Sequence, residues 1–123
     1  MKAVTQISDA ELEVMKVLWQ LGRATSADIV EQLTPVTDWK PKTIQTLITR
    51  LLAKGAISAD KKEGRAYIYS PLVSETEYKE YANHTFLEKL YNGSVKMMLA
   101  SFIKEQKMSK EELESLRDLL EEE

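Results

Sequence analysis

A chain of 123 residues, 43% hydrophobic and 30% charged, suits one compact domain or a small domain with an appendage. It has no cysteine, which excludes a disulfide framework, a thiolate metal site and a cysteine nucleophile, and no apolar run approaches the ~18 residues of a membrane span. The net charge of −3 hides an asymmetry: residues 1–73 carry 10 basic and 8 acidic side chains, whereas residues 74–123 carry 7 and 12. Asp9, Glu11 and Glu13 interrupt any apolar signal-peptide core, so a cytoplasmic protein without membrane insertion is expected.

The first helix is predicted from about Asp9 to Leu21. Ser8-Asp9-Ala10-Glu11 is a capping box, and Gly22 is the stop. Leu12, Met15 and Trp19 form one apolar row, and Val14, Leu18 and Leu21 its neighbour. Ala24-Thr25 reads as a short strand. Ser26 is the expected cap of a second helix, Ala27 to Leu33, that buries Ile29, Val30 and Leu33. Residues 34–40 then connect it to a third helix. That connection is longer than the three or four residues of a plain helix-turn-helix, which implies a variant geometry.

The third helix organises the rest. Ile44, Leu47, Ile48, Leu51 and Leu52 follow the i, i+3, i+4, i+7, i+8 spacing of a single helix face. Lys42, Thr46 and Thr49 fall opposite that stripe, with Thr43, Gln45 and Arg50 on its flanks. No acidic residue occurs between Thr43 and Lys54, whereas an ordinary solvated face mixes Glu with Lys. Lys, Thr, Gln and Arg offer donors to phosphates and short polar groups to base edges, the composition of a DNA recognition helix. Pro41 suits the first helical position, Trp39 and Ile44 are spaced as a hydrophobic staple, and Gly55 after Lys54 is a left-handed stop. Lys40 occupies the N-cap, where Ser, Thr, Asp or Asn is preferred; a phosphate approaching the open helix end offsets that weakness.

After Gly55 the apolar period shortens. Residues 57–61 and 66–70 read as two strands flanking Lys62-Glu63-Gly64-Arg65, with Gly64 supplying the positive φ of a tight loop. A hairpin directly after a recognition helix is the wing of a winged helix-turn-helix. Between residues 40 and 65 seven basic side chains face only Asp60 and Glu63. The DNA-contacting set expected from this pattern is Lys40, Lys42, Thr43, Gln45, Thr46, Thr49, Arg50, Lys54, Lys61, Lys62 and Arg65.

Pro71-Leu72-Val73 marks the expected boundary between a DNA-binding domain, residues 1–73, and a helical dimerisation domain, residues 74–123. Ser74-Glu75-Thr76-Glu77 and Ser109-Lys110-Glu111-Glu112 are further capping boxes. Three helices follow, from about Glu75 to Tyr91, Ser94 to Glu105 and Lys110 to Leu120. They offer too little core for themselves, so their apolar stripes need a partner, most simply a second copy of the chain. The expected dimer contacts are Tyr81, Phe86, Leu90, Val95, Met98, Leu99, Phe102, Ile103, Leu113, Leu116 and Leu120. The fold class is therefore mainly α with a small β-hairpin: an N-terminal winged helix-turn-helix and a C-terminal three-helix region.

The chain resembles the penicillinase repressors of the BlaI/MecI family. The matching segments are Ile7 to Met15 with Trp19, Trp39-Lys40-Pro41-Lys42-Thr43-Ile44-Gln45-Thr46-Leu47, Arg50-Leu51 leading to Lys54-Gly55, and Tyr69, Phe86, Tyr91-Asn92-Gly93 with the closing Leu-rich helix. The resemblance implies a homodimeric transcriptional repressor on a dyad-symmetric operator, controlling genes of the β-lactam-resistance type. It also implies inactivation by proteolysis in the fifth helix, after a membrane sensor metalloprotease detects the antibiotic. The family's bond is Asn-Phe; the aligned bond here is Ser101–Phe102, with serine in place of asparagine. The copper-responsive sister branch senses through cysteines, which are absent.

Other chemistry finds no footing. His84 is the only histidine and has no second ligand nearby in sequence. The Glu clusters at 75–80 and 111–114 read as capping and solvated faces rather than acid–base pairs. No phosphate loop or catalytic motif occurs, so a non-enzyme without cofactor or metal is expected. Two further readings stand beside the repressor: a family member controlling unrelated genes through another signal, and a winged-helix module that docks on a protein.

Overall fold

The computed structural model describes residues 7–61 and 64–121. The elements in chain order are α1 (Asp9–Leu21), β1 (Ala24–Thr25), α2 (Ser26–Leu33), α3 (Pro41–Lys54), β2 (Ile57–Lys61), β3 (Tyr67–Pro71), α4 (Glu75–Tyr91), α5 (Val95–Lys104) and α6 (Lys110–Glu121). The fold is mainly helical with one three-stranded antiparallel sheet, ordered β1-β3-β2. β2 and β3 form the expected hairpin, in register from Ile57 opposite Pro71 to Lys61 opposite Tyr67. The two residues of β1 pair on the other side of β3, Ala24 with Tyr69 and Thr25 with Ile68.

Cap chemistry sets most of the helix ends. Ser8 and Glu11 form the capping box of α1. For α2 the expected cap is one residue out: the N-cap is Thr25, whose hydroxyl accepts from the Asp28 N–H while Asp28 accepts from the Thr25 N–H. The reason is reciprocal: with Thr25 as cap the third helical residue is Asp28, an acceptor, whereas with Ser26 it would be Ile29. Ser74 with Glu77 and Ser109 with Glu112 make the two later boxes as expected.

The chain divides into two compact units, residues up to Tyr81 and residues from Ala82. The first has a true core. Val14, Met15, Leu18, Ile29, Ile44, Leu51, Ala56 and Val73 are wholly buried, joined by Val17, Leu33, Leu47, Ile48, Ile57 and Tyr69. Leu21, expected in an apolar row of α1, is instead 43% exposed as the helix's last residue. The start of α4 belongs to this unit for a physical reason. The Trp19 indole N–H donates to the Val73 carbonyl at 2.8 Å, and the Trp19 ring lies 5.9 Å from that of Tyr78.

The second unit has no buried residue in α5 or α6. It is held by contacts such as the Phe86 and Tyr91 rings, 5.7 Å apart, and by tight turns at Asn92-Gly93 and Gln106, all at positive φ.

Candidate nucleic-acid interface

The third helix is amphipathic in the strict sense. Ile44, Leu47, Ile48 and Leu51 are buried and Leu52 half-buried, while Pro41, Lys42, Thr43, Gln45, Thr46, Thr49 and Arg50 are all exposed. The split follows from the spacing of the apolar residues, so packing the stripe against α1 and α2 leaves the polar face in solvent.

Its two ends are held differently. Pro41 takes the first helical position, and Lys40 at the N-cap makes no side-chain capping bond. Trp39 packs against the core cluster that contains Ile44, as a hydrophobic staple requires. Thr37 stiffens the entry, donating to the Leu33 carbonyl at 2.8 Å and accepting from the Trp39 N–H at 3.3 Å. At the far end Gly55 is left-handed, with φ 79° and ψ 16°. The N–H groups of Leu72 and Val73 donate to the carbonyl of the buried Ala56, which fastens this end to the segment just after β3.

The hydroxyls on the exposed face are oriented. Thr46 donates back to the Lys42 carbonyl at 3.1 Å and Thr49 to the Gln45 carbonyl at 3.0 Å. With their protons used inside the helix, both side chains offer solvent a methyl group and an acceptor oxygen. Gln45, between them, has a free amide fork, and Lys42 and Arg50 supply cationic donors.

Lys54 is placed differently from the other expected DNA contacts. Its ammonium is 2.5 Å from Glu11 Oε1, and its side chain is only 27% exposed. Glu11 is 1% exposed, the one charged residue in the core among the described residues, and it also accepts from the Ser8 N–H at 2.9 Å. Burial pushes the Glu11 carboxyl up. The hydrogen bonds from Lys54 and Ser8, with the Lys54 charge, outweigh it and hold the group below its ordinary value of 4.5. The sequence alone pointed to Glu11 as a capping partner and an interruption of the N-terminal apolar run, not as a buried charge. The missed signal was its spacing: Val14, Met15 and Leu18, three, four and seven residues on, put it on the core face of α1.

In the hairpin, Lys61 and Arg65 are exposed and Gly64 has the positive φ, 72°, that its loop position demands. Lys61 lies 5.1 Å over the ring of Tyr67, its cross-strand partner. Lys62 lies outside the described residues.

A sequence profile of the family described as penicillinase repressor matches residues 7–122. The chain belongs to the penicillinase repressor family. It is 43% identical to the "Penicillinase repressor" of Bacillus licheniformis over 99% of this chain and 94% of that protein. It is 38% identical to "Methicillin resistance regulatory protein MecI" of Mammaliicoccus sciuri over 94% of this chain and 93% of that one. Among solved structures, the DNA-binding domain of the repressor BlaI is 46% identical, with TM-score 0.55, covering 63% of this chain and 94% of that domain. The monomeric form of Bacillus licheniformis BlaI in complex with the blaP half-operator matches at TM-score 0.54 and 46% identity, over 63% and 94% of the two chains. A penicillinase repressor is a transcriptional regulator and not an enzyme, and the winged-helix reading of the first unit agrees with these structures.

In this repressor's second unit, the side chains expected to meet a partner are incompletely covered. Phe86, Leu90, Val95, Ile103 and Leu120 are exposed, and Met98, Leu99, Phe102, Leu113 and Leu116 are half-buried. Tyr81, half-buried, closes the first unit. Ser101 and Phe102 lie in α5, and their carbonyls accept from the N–H groups of Glu105 and Lys107. The Tyr91 hydroxyl donates to Ser101 Oγ at 3.4 Å. His84 is exposed, and no metal-ligand cluster occurs among the described residues.

Proposed function

We propose that this repressor acts as a homodimer on a dyad-symmetric operator, each protomer laying the exposed face of α3 in the major groove. Lys42, Thr43, Gln45, Thr46, Thr49 and Arg50 read or position on the duplex. Lys40 stands at the open helix end, and Lys61, Lys62 and Arg65 clamp the backbone beside it. The observation that carries this reading is the contrast within α3: an apolar stripe packed in the core and, opposite it, a wholly exposed face without a carboxylate. A solvated face has no reason to exclude Glu; a face apposed to phosphate does. That a 46%-identical domain has been solved on a half-operator supports the assignment.

The second unit supplies the dimer contacts. Its exposed apolar side chains are too many for a short three-helix segment to leave in water without a partner. In a two-fold dimer the paired recognition helices meet successive grooves roughly 34–36 Å apart. The targets are genes of the β-lactam-resistance type, as the names of the relatives suggest. Repression acts in the cytoplasm and ends when a membrane sensor metalloprotease triggers cleavage at Ser101–Phe102. Because that bond lies inside α5, cleavage needs this part of the helix to open first.

The test is a gel shift with a duplex selected from a randomised pool by the wild-type chain, beside an unrelated duplex. If ~4–6 cationic groups per protomer touch phosphate, binding weakens steeply with salt. Arg50→Ala lowers affinity for the selected duplex at least tenfold with an unchanged unfolding midpoint. Unaltered affinity in that variant removes Arg50, and with it this orientation of the helix, from the interface.

A further inference from the structure

We propose that Glu11 is a positioning residue: its buried ion pair with Lys54 sets the tilt of α3 and so the register of the exposed side chains against base edges. The inference rests on the reading of α3 as the DNA-contacting helix.

The pair joins the first turn of α1 to the last residue of α3, 43 positions along the chain. Its place at the end of α3 matters. Lys40, at the opposite end, makes no side-chain capping bond, and the helix is held there by packing beneath Trp39 and Ile44 and by the Thr37 bonds of the entry loop. The C-terminal end is fastened by the Glu11–Lys54 contact and by the backbone bonds to Ala56. A 14-residue helix is about 20 Å long, so a tilt of 5° about its C-terminal end carries its first turn about 2 Å. Hydrogen bonds to base edges do not survive a shift of that size.

A buried ion pair is a poor way to gain stability alone, because desolvation of two charges consumes most of the attraction. An apolar residue at position 11 would join the core without that cost. What the carboxylate adds is direction. Apolar contacts tolerate sliding, whereas a charge-assisted N–H···O bond weakens quickly as its length and angle change. Glu11 is itself held, by the Ser8 N–H, so Lys54 is drawn to a fixed point rather than to a mobile chain.

Affinities of Glu11→Gln and Lys54→Met for the selected and the unrelated duplex, taken well below the unfolding transition, decide the matter. Glu11→Gln removes a negative charge, so an electrostatic effect alone would tighten both complexes. Positioning predicts the opposite for the selected duplex: a five- to twentyfold loss, with the unrelated duplex unchanged or slightly tighter. Lys54→Met gives a similar fall in the ratio of the two affinities, an unchanged salt slope and no further loss when combined with Glu11→Gln. Glu11→Met with Lys54→Met removes both charges of the buried pair together, so it keeps the test open if a single variant unfolds; the ratio still falls although the unfolding midpoint stays near that of the wild type. A wild-type ratio in the folded variants overturns the proposal and leaves the pair a stabilising contact only. Equal losses on both duplexes in Lys54→Met, with a salt slope smaller by about one, also overturn it, since Lys54 is then a phosphate contact. If the wild-type chain itself fails to tell selected from unrelated DNA, it is the assignment of α3 that fails.

Discussion

Lys54 closes the most basic stretch of the chain, yet its charge is turned toward a carboxylate in the core. Removing one partner of such a pair leaves the other desolvated, so Lys54→Met is expected to cost about 3 kcal/mol in chemical denaturation. A cost below about 1 kcal/mol would mean that water reaches Glu11. The same carboxyl gives the fold an acid limit. Its folded pKa lies below 4.5, so its stabilising contribution is complete above the unfolded value and is lost as pH falls through the folded one. Unfolding midpoints should therefore be level from neutrality to about pH 5 and drop below it, more steeply in the wild type than in Glu11→Gln. At this scale local signals were readable and long-range ones were not. Capping boxes declare themselves within four residues, although choosing Ser26 over Thr25 overlooked which box had its acidic partner. A pair separated by 43 positions leaves no local mark, and only the core-face spacing of Glu11 hinted at it.

At the scale of elements, α3 was legible because each device that defines it is local: Pro41 at the start, Gly55 at the stop and an apolar stripe between. The hairpin was legible from the change of apolar period and from Gly64. β1 was harder, since two residues carry almost no periodicity and its pairing with β3 spans more than forty positions. The weakest joint is the entry to α3, where Lys40 provides no cap and the apolar contact between loop and core is made by Trp39. Trp39→Ala should cost about 2 kcal/mol, less than a fully buried Trp because the residue is only partly buried. Hydrogen exchange should quicken first at the amides of Gln45 to Ile48. Uniform quickening across α1, α2 and α3 would show that the staple supports the whole unit rather than the helix entry.

For the whole molecule, the first unit is a small domain with a complete core, whereas the second consists of helices whose apolar side chains are half-buried or exposed. Leu90 is 58% and Leu120 69% exposed, values that make sense if a second copy covers them. The division of charge fits two duties: residues 1–73 are net basic and residues 74–123 net acidic. Sedimentation of the full chain should give a dimer, and Ile103→Asp a monomer that keeps the fold of the first unit. A monomeric wild-type chain at micromolar concentration would refute the dimer. Periodicity alone revealed the apolar faces of α5 and α6, but which of their residues stay uncovered depends on how short helices share a small core, and spacing does not encode that.

The central claim is that the acid-free face of α3 lies against a duplex groove, and amide chemical-shift mapping during titration with the selected duplex tests it most directly. The largest changes should fall on Lys42, Thr43, Gln45, Thr46, Thr49 and Arg50, with a second group at Lys61 and Arg65. Glu31 and Gln32, exposed on α2, should stay still. Changes centred on α2 or on α5, with the amides of α3 silent, would contradict the account.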